Sequence, residues 1–433
     1  MVKLLQSILR VLARAVLKKY QPKVVGISGS IGKTSAKEAI FTVLSSERPA
    51  RHSVKSYNNE LGVPLTIIGA ESGGRNPLKW LAVLGRAIRL LIIRDKQYPE
   101  LLVLELGADH PGDTNYLLSF VECTVGVLTA IAPVHLEFFG DLDGVAKEES
   151  TLVRRLPATR VAVLNADDPL VMAASAKVKA AKLTYGFTES AEVRAYEERV
   201  SGQQMATDGV ESIRGVSFKV SYQGSTVPVF LPSSVGRHSV NAALAAIAVG
   251  VSLGMNLVRI SENLRQYRPP RGRMNLIDGI KYTLIIDDTY NSSPNPALAA
   301  LDVLHQVQLP GSRHKYAVLG DMLELGTYTD RAHLEVGRKV AELGINYLVT
   351  VGEKSRLMAN AAIGVGMAKD RVWSFDKAAA AGIFLQDRIE QGDLILVKGS
   401  QGVRMERIVK ELMAEPLRAE ELLCRHDPKW LAK

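Results

Sequence analysis

The sequence predicts an α/β protein of two linked domains, and three observations carry that prediction. Val24 and Val25 lead into the loop GISGSIGKTS, residues 26–35, which runs on into a helical segment beginning AKEAIFTVL. From Val24 to Asn165, apolar runs of strand length alternate with helical segments, which is the pattern of a mostly parallel sheet. At Pro269 and Pro270, inside RPPRGR, the chain is punctuated and a second strand–helix alternation begins. The expected division is a basic amphipathic helix over 1–22, a central domain over 23–268 with a helical insertion at 76–94, and a C-terminal domain over 269–433.

The elements follow in order. Residues 1–20 read as a helix on which Lys3, Gln6, Ser7, Arg10, Arg14 and Lys18 form a narrow polar stripe beside a wide apolar face. Such a helix either packs on its own domain or lies on an anionic membrane surface. Strands are expected at 24–28, 101–106, 123–131 and 160–165, interrupted by a second basic amphipathic helix, NPLKWLAVLGRAIRLLIIR, at 76–94. Short alternating runs within 192–231, such as VSFKVSY and VPVFLP, predict a small antiparallel addition, and helical pattern returns at 238–253 and 256–266. Beyond Pro270, strands are expected at 283–288, 315–320, 347–351, 371–375 and 393–397. Helices are expected at 296–307, 330–343, 354–363, 376–390 and 402–413, giving a Rossmann-like, doubly wound domain.

Composition narrows the function classes. With 433 residues, 47% hydrophobic and 23% charged, the chain is globular and not disordered. Its two cysteines, Cys123 and Cys424, make neither a disulfide framework nor a metal-ligand spacing, which points to a reducing cytoplasm. No signal-peptide pattern and no apolar run of membrane-spanning length occurs. The net charge of +9 is local: residues 1–20 and 75–96 each carry a net +5, so the remainder is near neutral. That distribution argues against a general nucleic-acid surface and for two basic helices.

The glycine loop carries the first chemical signal. Glycines let backbone N–H groups approach phosphates, Lys33 brings a positive charge to the terminal phosphates, and the Thr34 hydroxyl suits Mg²⁺. The strict P-loop pattern has glycine where this chain has Ile27, and the plain alternative is a strand–helix turn. Glu105 ends LLVLELG at a sheet edge, where it is either a metal ligand or a solvated acid. His135, in TAIAPVHLEFFG, is either structural or a ligand beside a metal–nucleotide site. Asn58 and Asn59 lie in the turn-rich SYNNELGVP. Arg273 stands at the domain junction, as a phosphate contact on domain closure or a surface charge. Asp287 and Asp288 end a strand, with helix capping before Pro294 as the plain reading. These residues support an ATP- or GTP-using enzyme with Mg²⁺ and do not identify its reaction.

The stretches SGSIGKTSAKE, YNNELGVPLT, LELGADHPGD, APVHLEFFGDLDGVAKE, VLNADDP, GRHSVNAALAA, GRM, DDTYNSSP, VLGDMLELG and VKGSQGVRME, in this order over residues 23–413, resemble the Mur ligase family of ATP-dependent amide-forming enzymes. NNELGVP, DDTYN and VLGDMLELG look most like its MurF-type branch. The resemblance implies a P-loop-type ATPase central domain and a smaller Rossmann-like C-terminal domain. It implies a cytoplasmic enzyme of cell-wall precursor synthesis that activates a muramyl-peptide carboxylate with ATP and joins it to D-alanyl-D-alanine. By the same resemblance Gly29, Ser30, Ile31, Gly32, Lys33, Thr34 and Ser35 cradle the phosphates, and Thr34, Glu105 and His135 serve Mg²⁺. Asn165, Asp168, Asn241 and Asp288 line the nucleotide region, Arg273 approaches the phosphates, and Asn58 and Asn59 face the substrate. Lys33, His135, Arg273 and Glu149 are the implied catalytic set.

Three departures qualify the resemblance. Family members usually carry a UDP-binding domain before the glycine loop, whereas 25 residues precede Gly26 here and read as a basic helix. Either a partner protein or surface holds the UDP end, with 1–20 and 76–94 as a replacement surface or a contact to the inner face of the membrane, or the acceptor is different, lipid-linked or without UDP. Second, a gap-free reading of GVAKEES puts Glu149 where the family often has a carbamylated lysine, and Lys147 two residues earlier lies on nearly the opposite helix face. Glu149 already supplies a carboxylate, so no carbamylation is expected. Third, after His238 this chain has Ser239, Asn241 and Ala242 where the family commonly has asparagine directly after the histidine and again four residues on. A non-catalytic nucleotide-binding partner is the remaining alternative, and retention of Lys33, Thr34, Glu105, His135 and Arg273 argues against it.

Overall fold

The computed structural model describes residues 2–54, 57–134, 136–204, 211–309, 313–426 and 430. The chain divides into two compact units. One comprises Met1–Glu198, Ser217–Leu231 and Arg237–Arg268; the other comprises Arg199–Val216, Pro232–Gly236 and Pro269–Lys433.

The first sheet contains β1 (Lys23–Ser28), β2 (Ala50–His52), β3 (Leu101–Glu105), β4 (Val125–Leu128), β5 (Val161–Asn165), β6 (Ala181–Gly186), β7 (Val193–Gln204), β8 (Glu211–Tyr222) and β9 (Ser225–Pro232), in the spatial order β2-β3-β1-β4-β5-β6-β7-β8-β9. β1 is parallel to both neighbours, with Val25 opposite Val103 on one side and Val125 on the other. Both faces of β1, β3 and β4 are covered, which is why these strands read as unbroken apolar runs. The expected addition over 192–231 joins the main sheet: β7 pairs in parallel with β6, Tyr185 with Val193 and Gly186 with Arg194, and β8 and β9 follow it in the strand order. The edge strand β2 has three half-buried residues and no apolar run to announce it.

Helix α1 (Val2–Tyr20) lies against α3 (Gly62–Ile68) and α4 (Pro77–Ile92). Leu9, Ala13 and Val16 are fully buried in the core of the first unit, with Leu5, Leu12 and Leu17 partly buried around them. The packing reading of this helix therefore holds for one side of its apolar face. Helix α4 starts where Asn76 accepts from the Leu78 and Lys79 amides and Pro77 fills the first turn. Its last carbonyls are taken by α1: Lys19 Nζ donates to Leu90 and Leu91 O, both at 2.9 Å, and Tyr20 Oη donates to Leu90 and Ile93 O. Among the described residues no helix is long and apolar enough to cross a membrane.

The second sheet contains β10 (Asn275–Asp278), β11 (Leu284–Asp288), β12 (Lys315–Gly320), β13 (Tyr347–Val351), β14 (Val372–Phe375) and β15 (Leu394–Lys398), ordered β10-β11-β15-β12-β13-β14. All its pairings are parallel except β10 with β11, an antiparallel edge that the sequence pattern did not reveal. Helices Pro294–Gln306, Thr329–Glu342, Arg356–Gly364, Ala378–Arg388 and Glu406–Leu412 bury separate apolar clusters on the two faces, as a doubly wound fold requires.

Candidate functional site

β3 and β2 lie on one side of β1, and β4 and β5 on the other, so chain direction across the sheet switches beside β1. Loops leaving the carboxyl ends of strands diverge at such a switch and leave a crevice. The glycine loop leaves β1 at this point. Gly29 has φ 130° and Gly32 has φ 87°, conformations that L side chains rarely adopt. A Cβ on Gly29 would also collide with Thr129 Oγ1. Thr129, just after β4, donates from Oγ1 to Ile31 O at 2.7 Å, and Ser30 N donates to Ala130 O at 2.7 Å, so the loop is pinned to the next strand.

Helix α2 (Lys33–Ser45) begins directly after Gly32, which supplies no side-chain cap. Its first-turn amides, at the positive end of the helix dipole, are thus left for an anion. Ser30 Oγ is buried without a partner among the described residues. The Lys33 ammonium contacts Gly29 O and lies 3.7 Å from Glu149 Oε1. Glu149 is only 3% exposed; its Oε2 accepts from Ser28 Oγ at 2.6 Å and from Gly29 N at 2.7 Å. Lys147, on the same helix Leu142–Glu149, is exposed. On the other side of the loop the Thr34 hydroxyl is 3.2 and 3.3 Å from the two Glu105 oxygens, and Asn58 Nδ2 donates to Glu105 Oε1 at 3.3 Å. Glu105 ends β3 opposite Ile27 of β1, which is what brings it to the loop.

The loop residues, Lys33, Thr34, Glu105, Asn58 and Glu149 therefore converge. Other predicted residues are placed differently. Asn59 Oδ1 accepts from Leu61 N and Gly62 N and so starts α3. Asp168 Oδ1 accepts from Leu170 N and Val171 N and its Oδ2 from Ile131 N, so it caps the helix Pro169–Ser175 and ties it to the chain after β4. Asn165, 6% exposed, donates to Thr129 O at 2.8 Å, one step behind the loop. Asn241 is half-buried near the start of the helix Arg237–Ser252, with Oδ1 lacking a partner among the described residues. His135 lies outside the described residues.

In the second unit, Arg273 stacks on the Tyr290 ring at 4.3 Å, and Asp288 pairs with Lys398 Nζ at 2.7 Å. Capping does not explain Asp287 and Asp288: Ser293 precedes the helix Pro294–Gln306, while Asp287 Oδ1 accepts from Thr289 Oγ1 at 2.6 Å inside the unit. Burial pushes the Asp287 carboxyl up to about 7, opposed by the Thr289 hydrogen bonds and aided by nearby Asp288 and Glu406.

Residues 27–250, over half the chain, match the model of the Mur ligase middle domain, and residues 272–401 match that of the Mur ligase, glutamate ligase domain. The chain belongs to the Mur ligase family. A UDP-N-acetylmuramoyl-tripeptide–D-alanyl-D-alanine ligase of Escherichia coli is 29% identical over 93% of this chain and 79% of that protein. The Bacillus subtilis protein of the same name is 27% identical over 94% of this chain and 80% of its own. A crystal structure of MurF from Acinetobacter baumannii superposes with a TM-score of 0.74 at 28% identity, over 93% of this chain and 79% of that one. MurF of Thermotoga maritima in complex with ADP shares the fold, with a TM-score of 0.73 at 23% identity, over 94% of this chain and 83% of its own.

Several further residues shape the two sheet edges of this Mur ligase chain. Ser28 and Thr129 are polar ends of apolar strands, and only the three-dimensional pairing shows that they hold the loop. Lys398 ends the apolar run LILVK and is 3% exposed. A lysine closing a buried strand needs an acidic partner, and that signal was readable. Arg425, Glu406 and Arg404 form a chain of ion pairs around the fully buried Glu406; Arg404 is its near neighbour in sequence, whereas Arg425 returns from nineteen residues further on.

Proposed function

We propose that this chain is an ADP-forming ligase that uses ATP to join D-alanyl-D-alanine to the peptide carboxylate of a UDP-N-acetylmuramoyl-tripeptide. The observation that carries the reading is the shared name of relatives that align over nearly the whole chain. The site supplies matching chemistry. A carboxylate is a poor electrophile, and transfer of the ATP γ-phosphoryl group to one of its oxygens converts that oxygen into a leaving group. The amine of D-alanyl-D-alanine then attacks the carbonyl carbon, phosphate departs and an amide remains. Positioning and charge neutralisation account for most of such catalysis.

The loop Gly29–Ser35 cradles the phosphates, with the amides from Ile31 into the first turn of α2 as donors because Gly29 N and Ser30 N are taken by Glu149 and Ala130, and Lys33 neutralises their terminal charge. Thr34 and Glu105 present apposed oxygen donors, which fits Mg²⁺, an ion that takes few protein ligands beside phosphate and water. When bound there, Mg²⁺ would neutralise phosphate charge. Glu149 braces Gly29 N and Lys33, so the loop has an acidic support without a carbamate, and Lys147 is turned away to solvent. Asn165 and Asp168 act as positioning residues for the wall after β4. By the family motifs alone, Arg273 is assigned to phosphate, His135 to the metal and Asn58 to the substrate side, while Asp288 is engaged by Lys398.

The test is phosphate release by the purified chain with ATP, Mg²⁺, the UDP-linked tripeptide and D-alanyl-D-alanine, followed by product mass. Release that requires both substrates, with a product of the condensed mass, is expected. Release stimulated only by another carboxylate, or nucleotide binding without turnover, would overturn it.

A further inference from the structure

Helices α1 and α4 each bury one face and leave an aliphatic stripe in solvent. On α4 the exposed residues Leu78, Leu81, Ile88 and Ile92 recur at helical spacing along one side, at 72, 63, 48 and 76% exposure. Ile93 follows, and Leu4, Ile8 and Val11 form the corresponding stripe on α1. These eight are among the nineteen large hydrophobic side chains exposed in the described residues, although the two segments are a small part of the chain. Aliphatic exposure concentrated in this way marks a surface that something covers.

Charge identifies what covers it. Lys79, Arg89, Arg94 and Lys96 flank the α4 stripe, and Lys3, Arg14 and Lys18 flank that of α1; all seven are exposed. Residues 1–20 contain no acid and residues 75–96 contain only Asp95. Three further cations of the segments are engaged inside the unit: Arg10 over the Tyr116 ring, Lys19 on the α4 carbonyls, and Arg86 on Ile68 O. The outward cations are thus extra to what packing uses. A second copy meeting this face through a two-fold axis would bring cation against cation. The stripe also lacks exposed aromatic anchors of the kind that dominate protein interfaces: Trp80 is half-buried with its indole N–H on Gly74 O. Apolar side chains level with a rim of lysine and arginine match the acyl boundary and anionic headgroups of a bilayer.

We propose that α4, with α1 beside it, docks the protein on an anionic lipid surface, the aliphatic stripe entering the headgroup boundary and the basic residues meeting lipid phosphates. This does not rest on the ligase reading. The test is co-sedimentation of the full chain with vesicles of phosphatidylcholine alone and of phosphatidylcholine mixed with phosphatidylglycerol, at low and high salt. Binding to the anionic vesicles only, weakened by salt, is expected. The exposed-site variant Leu81→Glu/Ile88→Glu/Ile92→Glu and the charge variant Lys79→Glu/Arg89→Glu should each lower the bound fraction roughly tenfold, with unchanged circular dichroism. The second variant leaves the aliphatic residues in place, so the proposal stays testable should the first disturb folding. Equal binding to both vesicle types, no binding, or binding unaffected by both variants would overturn it. So would a concentration-dependent dimer, seen by light scattering, that the triple variant dissolves, because the occupant would then be a second copy.

Discussion

Each unit gathers acids and a lysine at the carboxyl edge of a parallel sheet, but the two edges differ in how far their polar groups are satisfied. At the second, Lys398 and Asp288 pair at 2.7 Å with side-chain exposures of 3 and 14%, and fully buried Glu406 is held by Arg404 and Arg425. Arg425 also donates to Thr289 O and Tyr290 O, tying the chain near its C-terminus to the turn after β11. At the first, α2 lacks a side-chain cap, Ser30 Oγ has no partner among the described residues, and Lys33 meets Glu149 only at 3.7 Å. Mutually satisfied ion pairs stabilise the fold, and at the second edge they leave one buried acceptor, Asp287 Oδ2, without a partner among the described residues; donors left over around a rigid loop are available to a ligand. The same residue types therefore carry different expectations for mutation at the two edges.

The largest separation is expected from Lys33→Ala, which should lower acceptor-dependent phosphate release by about 10³-fold, or about 4 kcal/mol of transition-state stabilisation. Its thermal unfolding should stay close to that of the parent; a large fall in melting temperature would make the first edge structural as well. Arg425→Met gives the reverse pattern. It leaves Glu406 buried with Arg404 alone, and urea unfolding should show a loss of about 3 kcal/mol.

Glu149→Gln preserves shape and removes the charge beside Lys33. Phosphate release should fall by about tenfold to a hundredfold, an effect of about 1.4–3 kcal/mol, and the parent's activity should be indifferent to bicarbonate. Bicarbonate dependence, or a carbamate on Lys147 detected by labelling, would contradict the role given to Glu149.

Asp287 adds a comparison in pH. Its folded carboxyl is raised from 3.8 to about 7, chiefly by burial. Between those values the native state binds more protons than the unfolded one. The contribution is thus fully present below 3.8 and is lost as pH rises through about 7. Unfolding free energies of the parent and Asp287→Asn, measured across that window, should diverge with pH, the parent alone losing this component. Parallel profiles would show that Asp287 ionises in the folded protein as it does in the unfolded chain.

The first edge was largely legible because local pattern encodes it: Gly29, Gly32, Lys33 and Thr34 fall within one short loop, and Glu105 closes an apolar run. The second edge was legible only in part: Asp287, Asp288 and Lys398 stand out as polar ends of apolar strands, but their pairing follows from strand order, β15 inserting between β11 and β12 and the segment around Arg425 returning to the turn after β11. Asp168 illustrates a different loss. Its position beside the nucleotide region reads from motif order, but its three backbone hydrogen bonds, and hence its capping role, depend on how the helix after β5 meets the chain after β4. Helix α1 was half legible, since its wide apolar face was visible but the division between Leu9, Ala13 and Val16 inside and Leu4, Ile8 and Val11 outside is set by α3 and α4.

In the proposed reaction the glycine-loop edge activates a carboxylate with ATP. Isotope transfer tests it most directly: the acceptor tripeptide is labelled with ¹⁸O in its terminal carboxylate, and the inorganic phosphate released during ligation is weighed by mass spectrometry. One ¹⁸O atom is expected in each phosphate, because the carboxylate oxygen that attacks phosphorus leaves with it. Unlabelled phosphate accompanying amide formation would contradict an acyl-phosphate route at this site.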